Sequence, residues 1–250
     1  MKISVIGTGY VGLVSGVCLA EIGHDVICVD KDKTKVDQIN LGKSPIYEEG
    51  LSKLLTKHIN SNLHATINLH NAVMESSLTI IAVGTPYDGD AIDLQYIEQV
   101  SKEVGEILKD KKTYHVVVVK STVVPGTTDN VVLPLLEKYS GKKAGLDFGV
   151  GMNPEFLREG TAIADFMQPD RIVLGGIDNK SQSKLDEVYA PFSDTDKLKT
   201  DNKTAEMIKY ASNSLLATLI SFSNEIGNLC AKLGDMDALE VMRGVHLDKR

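Results

Sequence analysis

Short β-branched runs alternate along the chain with longer stretches in which apolar residues return every three or four positions. The runs are Ile3–Ile6, Asp25–Val29, Leu78–Val83, His115–Lys120, Phe148–Gly151 and Arg171–Leu174, with a weaker one at Leu63–Ile67. Near-continuous apolar runs mark strands buried on both faces. The amphipathic stretches between them, such as Ile92–Leu108 and Thr127–Tyr139, read as crossover helices. The pattern predicts an α/β fold, a doubly wound parallel sheet over about residues 1–200. The polar stretch Ser193–Asn202 (SDTDKLKTDN) reads as a hinge or domain edge.

A long helix is predicted next, over Lys203–Leu233. Ala211, Leu215, Leu219, Phe222, Ile226, Leu229 and Leu233 form one apolar stripe, and a second face carries Lys209, Asn213, Leu216, Ile220 and Gly227. Apolar residues on both faces call for cover on two sides. The first domain is expected on one side, and on the other a partner subunit or a domain outside this chain. Residues 201–250 are therefore expected to be a connecting and dimerisation helix with the start of a further domain. Only 17 residues follow Leu233, too few for another domain, so the architecture is expected to continue past Arg250.

Composition narrows the function. The 250 residues carry 27 Lys+Arg against 34 Asp+Glu, a net charge of −7, which argues against nucleic-acid or anionic-membrane partners. No apolar run reaches the roughly 18 to 20 residues that span a bilayer. Cys18, Cys28 and Cys230 form no C-x-x-C pair and no disulfide framework, as in a reducing cytoplasm. The six histidines lack metal-ligand spacing, and no metal site is expected.

The first strand runs into Gly7-Thr8-Gly9-Tyr10-Val11-Gly12, a G-x-G-x-x-G followed by a helix over Leu13–Ile22 and a second strand ending at Asp30. The first glycine makes the tight turn, the second admits a pyrophosphate, and the third lets the helix pack on the strand. The helix N-terminus offers N–H groups and a positive dipole end to phosphate. Asp30, 18 residues after Gly12, suits ribose hydroxyls and disfavours a 2′-phosphate, so NAD is preferred over NADP. Lys31, Lys33 and Lys35 temper that preference. This is a Rossmann-like signature. Val83-Gly84-Thr85-Pro86 and Lys120-Ser121-Thr122 end later strands at the same carboxyl edge, where they serve either as plain loops or as a ligand rim.

In Asn153-Pro154-Glu155-Phe156-Leu157-Arg158-Glu159-Gly160, Pro in a first helical turn would set Glu155 and Glu159 on one face at i, i+4. The pair reads either as a solvated acidic turn or as a setting in which one of the two is a general base or water-positioning acid. Lys209 and Asn213, also at i, i+4, are either solvated or donors to an oxyanion or to sugar and phosphate oxygens.

Together, VIGTGYVGLVSGVCLAEIGHDVICVD, AVGTP, KSTVVPGTT, MNPEFLREGTAIADFMQPDRIVLGG and AEMIKYASNSLLATLISFSNEIGNLC resemble the UDP-glucose 6-dehydrogenase family, within the UDP-sugar and GDP-mannose dehydrogenases. PDRIVLG looks more like the UDP-glucose branch. The resemblance implies two NAD-dependent oxidations of a UDP-sugar substrate, from C6 alcohol to carboxylate. It also implies NAD contacts from Gly7, Gly9, Tyr10, Val11, Gly12, Asp30, Lys35, Thr85, Thr122 and Glu159. The sugar nucleotide falls to Glu155, Phe156, Leu157, Glu159, Lys209 and Asn213. Catalysis falls to Thr122 and Glu155, for water or proton relay, and to Lys209 and Asn213, for the oxyanion. A homodimer through the long helix is implied for the intact enzyme.

One departure stands out. Members of the family use a cysteine in a segment resembling G-G-S-C-F-P-K-D, beyond the long helix, together with a later aspartate and a C-terminal UDP-binding domain. Arg250 comes before any such segment, so a cofactor-binding portion with little or no turnover is expected. Three competing readings are a non-catalytic NAD-binding or dimerisation module, a related dehydrogenase of UDP-N-acetylhexosamine or GDP-mannose, and a β-hydroxyacid-type dehydrogenase making a single oxidation; NPEFLREG speaks against the last.

Overall fold

Each expected apolar run becomes a strand in the computed structural model, which describes residues 1–248. In chain order these are β1 (Lys2–Ile6), β2 (Asp25–Val29), β3 (Leu63–Thr66), β4 (Leu78–Ile81), β5 (His115–Val119), β6 (Phe148–Met152) and β7 (Ile172–Gly176). An eighth strand, β8 (Lys197–Thr200), lies inside the stretch expected to be a hinge. It pairs in parallel with β7, from Ile172 opposite Lys197 to Gly175 opposite Thr200. Its polarity misled the reading because it is an edge strand. Lys197 and Lys199 reach Asp186 at 3.8 and 2.8 Å, and charge on an edge keeps it from pairing with other chains.

The sheet order is β3-β2-β1-β4-β5-β6-β7-β8. The first six strands are parallel, whereas β7 meets β6 antiparallel through Gly151–Gly176 and Met152–Gly175. The expected all-parallel sheet is thus mostly parallel, with β7 and β8 running against the rest. The chain folds back after β6 through loop 153–161 and the short α7 (Ala162–Met167) without a crossover. The other helices are α1 (Tyr10–Glu21), α2 (Lys33–Asn40), α3 (Leu51–His58), α4 (Leu69–Glu75), α5 (Gln95–Asp110), α6 (Leu133–Ser140) and α8 (Asn179–Val188). A π-helical turn, Thr128–Val132, leads into α6. Gly12 through Ala20 of α1 are all buried, as a helix this apolar requires, with Ser15 the one side-chain hydroxyl among them.

The chain divides into two compact units, Met1–Met207 and a second from Ile208 onward. The 32-residue α9 (Asn202–Leu233) begins in the first and continues into the second, which also holds α10 (Ala238–His246). Leu215, Leu219, Phe222, Leu229 and Leu233 of one stripe are exposed, and so are Leu216 and Ile220 of the other. No helix among the described residues is long and apolar enough to cross a membrane.

A polar chain crosses the middle of the first unit. Ser4 Oγ lies 2.7 Å from Thr79 Oγ1, which lies 2.8 Å from His115 Nε2. His115 Nδ1 is 3.2 Å from the Ser76 carbonyl. A carbonyl only accepts, so Nδ1 carries the proton and Nε2 accepts from the Thr79 hydroxyl. Lys111 Nζ donates to the carbonyls of Val73, Met74 and Ser76, each at 2.8 Å, closing the end of α4. Complete burial, with the nearby Lys111 charge adding to it, pulls the His115 pKa from 6.5 to about 3. The unfolded chain binds this proton below its ordinary pKa and the folded chain only near 3. Stability from His115 is therefore whole above pH 6.5 and is lost as pH falls toward 3. Between pH 7 and 5 the loss is about 2 kcal/mol. The fall in urea midpoint over that interval should shrink markedly in His115→Gln; an equal fall in both proteins would show that His115 does not set it.

Candidate cofactor and active site

The sheet order reverses between β1 and β4, so the crevice outside their carboxyl ends is the place for a ligand. The turn after β1 is built by close approach. Gly7 has φ +93°, and a Cβ there would stand 2.7 Å from the Ala82 carbonyl oxygen. A Cβ on Gly12 would stand 1.9 Å from the Gly7 oxygen, so only glycine lets α1 start this close to β1. Gly9 differs: its φ of −70° suits any residue and a Cβ would meet nothing within 4 Å. This open space lies at the N-terminus of α1, where no side chain caps the helix and no acid occupies the first turn. Free N–H groups, a dipole end and an unfilled space fit the pyrophosphate of a dinucleotide.

Asp30, just past β2, holds the same turn. Its Oδ2 accepts from Thr8 N at 2.8 Å and Thr8 Oγ1 at 2.6 Å, and Oδ1 accepts from Asp32 N at 3.0 Å. Three donors leave lone-pair capacity for a ribose hydroxyl. Burial pushes the Asp30 carboxyl up, but the bonds from Thr8 and Asp32 and the Lys35 charge outweigh it and hold the pKa below the ordinary value. Of the three lysines, Lys31 lies 4.9 Å above the Tyr96 ring and Lys33 pairs with Asp37 at 2.6 Å. Lys35 is the one whose charge acts on Asp30.

Thr85 and Thr122 come together: Thr85 Oγ1 donates to the Thr122 carbonyl at 2.7 Å, tying the loop after β4 to that after β5. The Thr122 loop is held from its far side by Glu206 of α9, a fully buried carboxylate. Glu206 accepts from Gly126 N at 2.5 Å, Thr128 N at 2.8 Å and Thr128 Oγ1 at 2.6 Å. Burial dominates there and raises the Glu206 pKa despite these bonds.

The NPEFLREG segment is not the expected helical turn. Residues 153–158 form an irregular loop, and helix begins only at Ala162. Side-chain oxygens take the amides that a helix would use. Leu157 N donates to Glu155 Oε2 at 2.6 Å, Arg158 N to Asp165 Oδ2 at 2.8 Å, and Gly160 N and Ala162 N to Glu48, each at 2.9 Å. Glu155 and Glu159 therefore share no helical face; Glu159 is exposed and Glu155 half-buried. The Phe156 ring packs 4.0 Å under the Arg171 guanidinium, and Leu157 packs on the core. At the root of the loop, Asn153 Oδ1 accepts from Lys120 Nζ at 2.9 Å and the Tyr189 hydroxyl at 2.5 Å, while its Nδ2 donates to the Val173 carbonyl at 2.9 Å.

Tyr10, the first residue of α1, donates its hydroxyl to Glu48, and Val11 packs on the core. Lys209 and Asn213 belong to the second unit, Lys209 buried and Asn213 exposed one turn on. The sequence reading missed Glu48, Thr8, Lys120, Asn153 and Glu206 as organisers of the site. A lone buried acid leaves no periodic signal, and Glu206 at a helix start reads as an ordinary dipole partner. Among the described residues no three His, Cys, Asp or Glu side chains are grouped to hold a metal.

Residues 1–193 match the UDP-glucose/GDP-mannose dehydrogenase family, NAD binding domain, and residues 203–250 its central domain. The chain belongs to this family. It is 47% identical over 253 residues to GDP-mannose 6-dehydrogenase of Azotobacter vinelandii, covering 100% of this chain and 57% of that protein. The ternary-complex structure of GDP-mannose dehydrogenase from Pseudomonas aeruginosa superposes with TM-score 0.97 at 46% identity, covering 100% of this chain and 57% of that one. UDP-glucose dehydrogenase from Pyrobaculum islandicum gives TM-score 0.93 at 43% identity, covering 99% and 57%. The chain thus spans a little over half the length of these relatives. NAD is the cofactor of the matched domain, and the residues around Gly9 and Asp30 fit it.

The glycines separate fold from binding. Gly12→Ala should cost about 3 kcal/mol of stability through overpacking. Gly9→Ala should leave the melting temperature unchanged yet raise the Kd for NAD about tenfold or more, as backbone donors lose the phosphate. Calorimetric titration beside thermal melts checks both; undiminished NAD affinity in Gly9→Ala would place the dinucleotide elsewhere.

Proposed function

We propose that the chain is the cofactor-binding portion of an NAD-dependent nucleotide-sugar 6-dehydrogenase, which converts the C6 alcohol of a hexose on a nucleoside diphosphate to a carboxylate. The observation that carries this reading is the open cradle at Gly9 with the NPEFLREG loop joined to it through Tyr10 and Glu48. Bound in this cradle, NAD would supply the hydride acceptor for oxidation at C6. In this reading Gly7, Gly9, Tyr10, Val11 and Gly12 form the pyrophosphate turn, and Asp30 with Lys35 holds the adenosine ribose. Thr85, Thr122 and Glu159 line the remainder. Glu155, Phe156, Leu157 and Glu159, with Lys209 and Asn213, hold the sugar nucleotide. Each oxidation builds negative charge on oxygen, which the Lys209 and Asn213 donors stabilise, while Thr122 and Glu155 position water or pass a proton.

Two sugars compete. Identity over the whole chain is higher with the GDP-mannose relatives, at 46–49%, than with the UDP-glucose relatives, at 42–45%, and this puts GDP-mannose first. The PDRIVLG string supports UDP-glucose as the second reading. The exposed stripes of α9 support a homodimer through that helix, and three free cysteines support a cytoplasmic setting.

No cysteine here suits nucleophilic work. Cys18 and Cys28 are fully buried, and burial pushes both thiols up to about 12, while Cys230 is buried late in α9. The 250-residue chain should therefore bind NAD, discriminate against NADP and reduce little of the cofactor. NADH absorbance with GDP-mannose and with UDP-glucose checks this. Two NADH per sugar from this chain would overturn the inactive reading, and the sugar that sustains turnover in a full-length protein decides between the two.

A further inference from the structure

Glu48 lies in the loop between α2 and α3, where Ile46 packs on the core, Tyr47 is exposed and Glu48 turns back inside. Two local bonds set the course of the loop: Ser44 Oγ donates to the Ile46 carbonyl at 2.6 Å, and Leu51 N donates to the Glu48 carbonyl at 3.2 Å. Only 5% of Glu48 is exposed, so its carboxylate depends on protein donors. It has three, from two separate parts of the site. Oε2 accepts from the Tyr10 hydroxyl at the dinucleotide turn and from Gly160 N at 2.9 Å; Oε1 accepts from Ala162 N at 2.9 Å. The Tyr10 hydroxyl also lies 3.3 Å from the Arg158 carbonyl. Burial pushes the Glu48 carboxyl up, but these donors outweigh it and hold it ionised below the usual range.

We propose that Glu48 is a positioning residue that couples the two halves of the site, so that occupation of the dinucleotide turn tightens the NPEFLREG loop through Tyr10 and Glu48. The inference rests on the cofactor reading above. Tyr10 stands beside the pyrophosphate space at Gly9, so any ligand that fixes its ring also fixes the Glu48 carboxylate. That carboxylate sets the two amides that end the loop. A carboxylate is required because all three partners donate. A glutamine in either orientation turns its NH2 toward at least one of the Gly160 and Ala162 amides, setting donor against donor.

The test uses the 250-residue chain, Glu48→Gln and Tyr10→Phe, with the double variant. NAD affinity is read by calorimetry, and amide hydrogen exchange of segment 155–163 is read with and without NAD, using segment 172–188 as the fold control. In the parent chain NAD should slow exchange in 155–163. Each single variant should bind NAD about tenfold more weakly, the scale of one hydrogen bond to a charged group, and the double variant no more weakly than either. At saturating NAD, segment 155–163 should no longer respond in Tyr10→Phe, which removes only the hydroxyl link, while 172–188 exchanges as in the parent. NAD binding with an undiminished response of 155–163 in Tyr10→Phe, or additive losses in the double variant, would overturn the coupling and leave the cofactor reading intact. Failure of the parent chain to bind NAD would overturn that reading, and the coupling with it.

Discussion

Everything in the candidate site depends on how closely α1 begins against β1. Between the Gly7 oxygen and the Gly12 Cα there is no room for even a methyl group, and Gly7 itself is pressed against the Ala82 backbone. That contact does three things at once. It aims the helix N-terminus at the switch-point crevice, brings the ends of β1 and β4 side by side, and sets Tyr10 where its hydroxyl reaches the next loop. Asp30 then fixes the turn from the β2 side through Thr8, so an acid read only as a ribose ligand also holds the cradle in shape.

Around this turn the loops are organised by buried acceptors. Glu48 gathers the dinucleotide turn and the NPEFLREG loop, Glu206 gathers the loop after β5, and Asn153 gathers β5, β7 and the end of α8. Loops carry backbone donors with no ladder to satisfy them, and a buried carboxylate or amide oxygen satisfies several at once. The two carboxylates respond differently to burial. Glu48 stays low because its donors outweigh desolvation, whereas at Glu206 desolvation dominates.

The architecture was legible because its cause is local. Strands buried on both faces must be apolar throughout, so the six inner ones announced themselves; edge strand β3, half-exposed, gives only a weak run, and the other edge, β8, is polar and charged, so its Lys-Leu-Lys-Thr reads like loop. The Gly-x-Gly-x-x-Gly turn was legible because close packing excludes other residues at Gly7 and Gly12, while Gly9 keeps its space open. The NPEFLREG string is an irregular loop where its sequence suggests a helical turn. Its spacing suits a helix, while Glu155, Asp165 and the distant Glu48 claim the amides a helix would have used.

By itself, then, the sequence determined the doubly wound sheet, the dinucleotide turn, the long α9 and membership in a nucleotide-sugar dehydrogenase lineage, all written in residues close along the chain. Tertiary structure alone decided which acids face inward and what they hold. Glu48 and Ala162 are 114 positions apart, and Glu206 and Thr128 are 78 apart. No periodicity records a hydrogen bond over such separations, because only the packed sheet and helices bring the partners together.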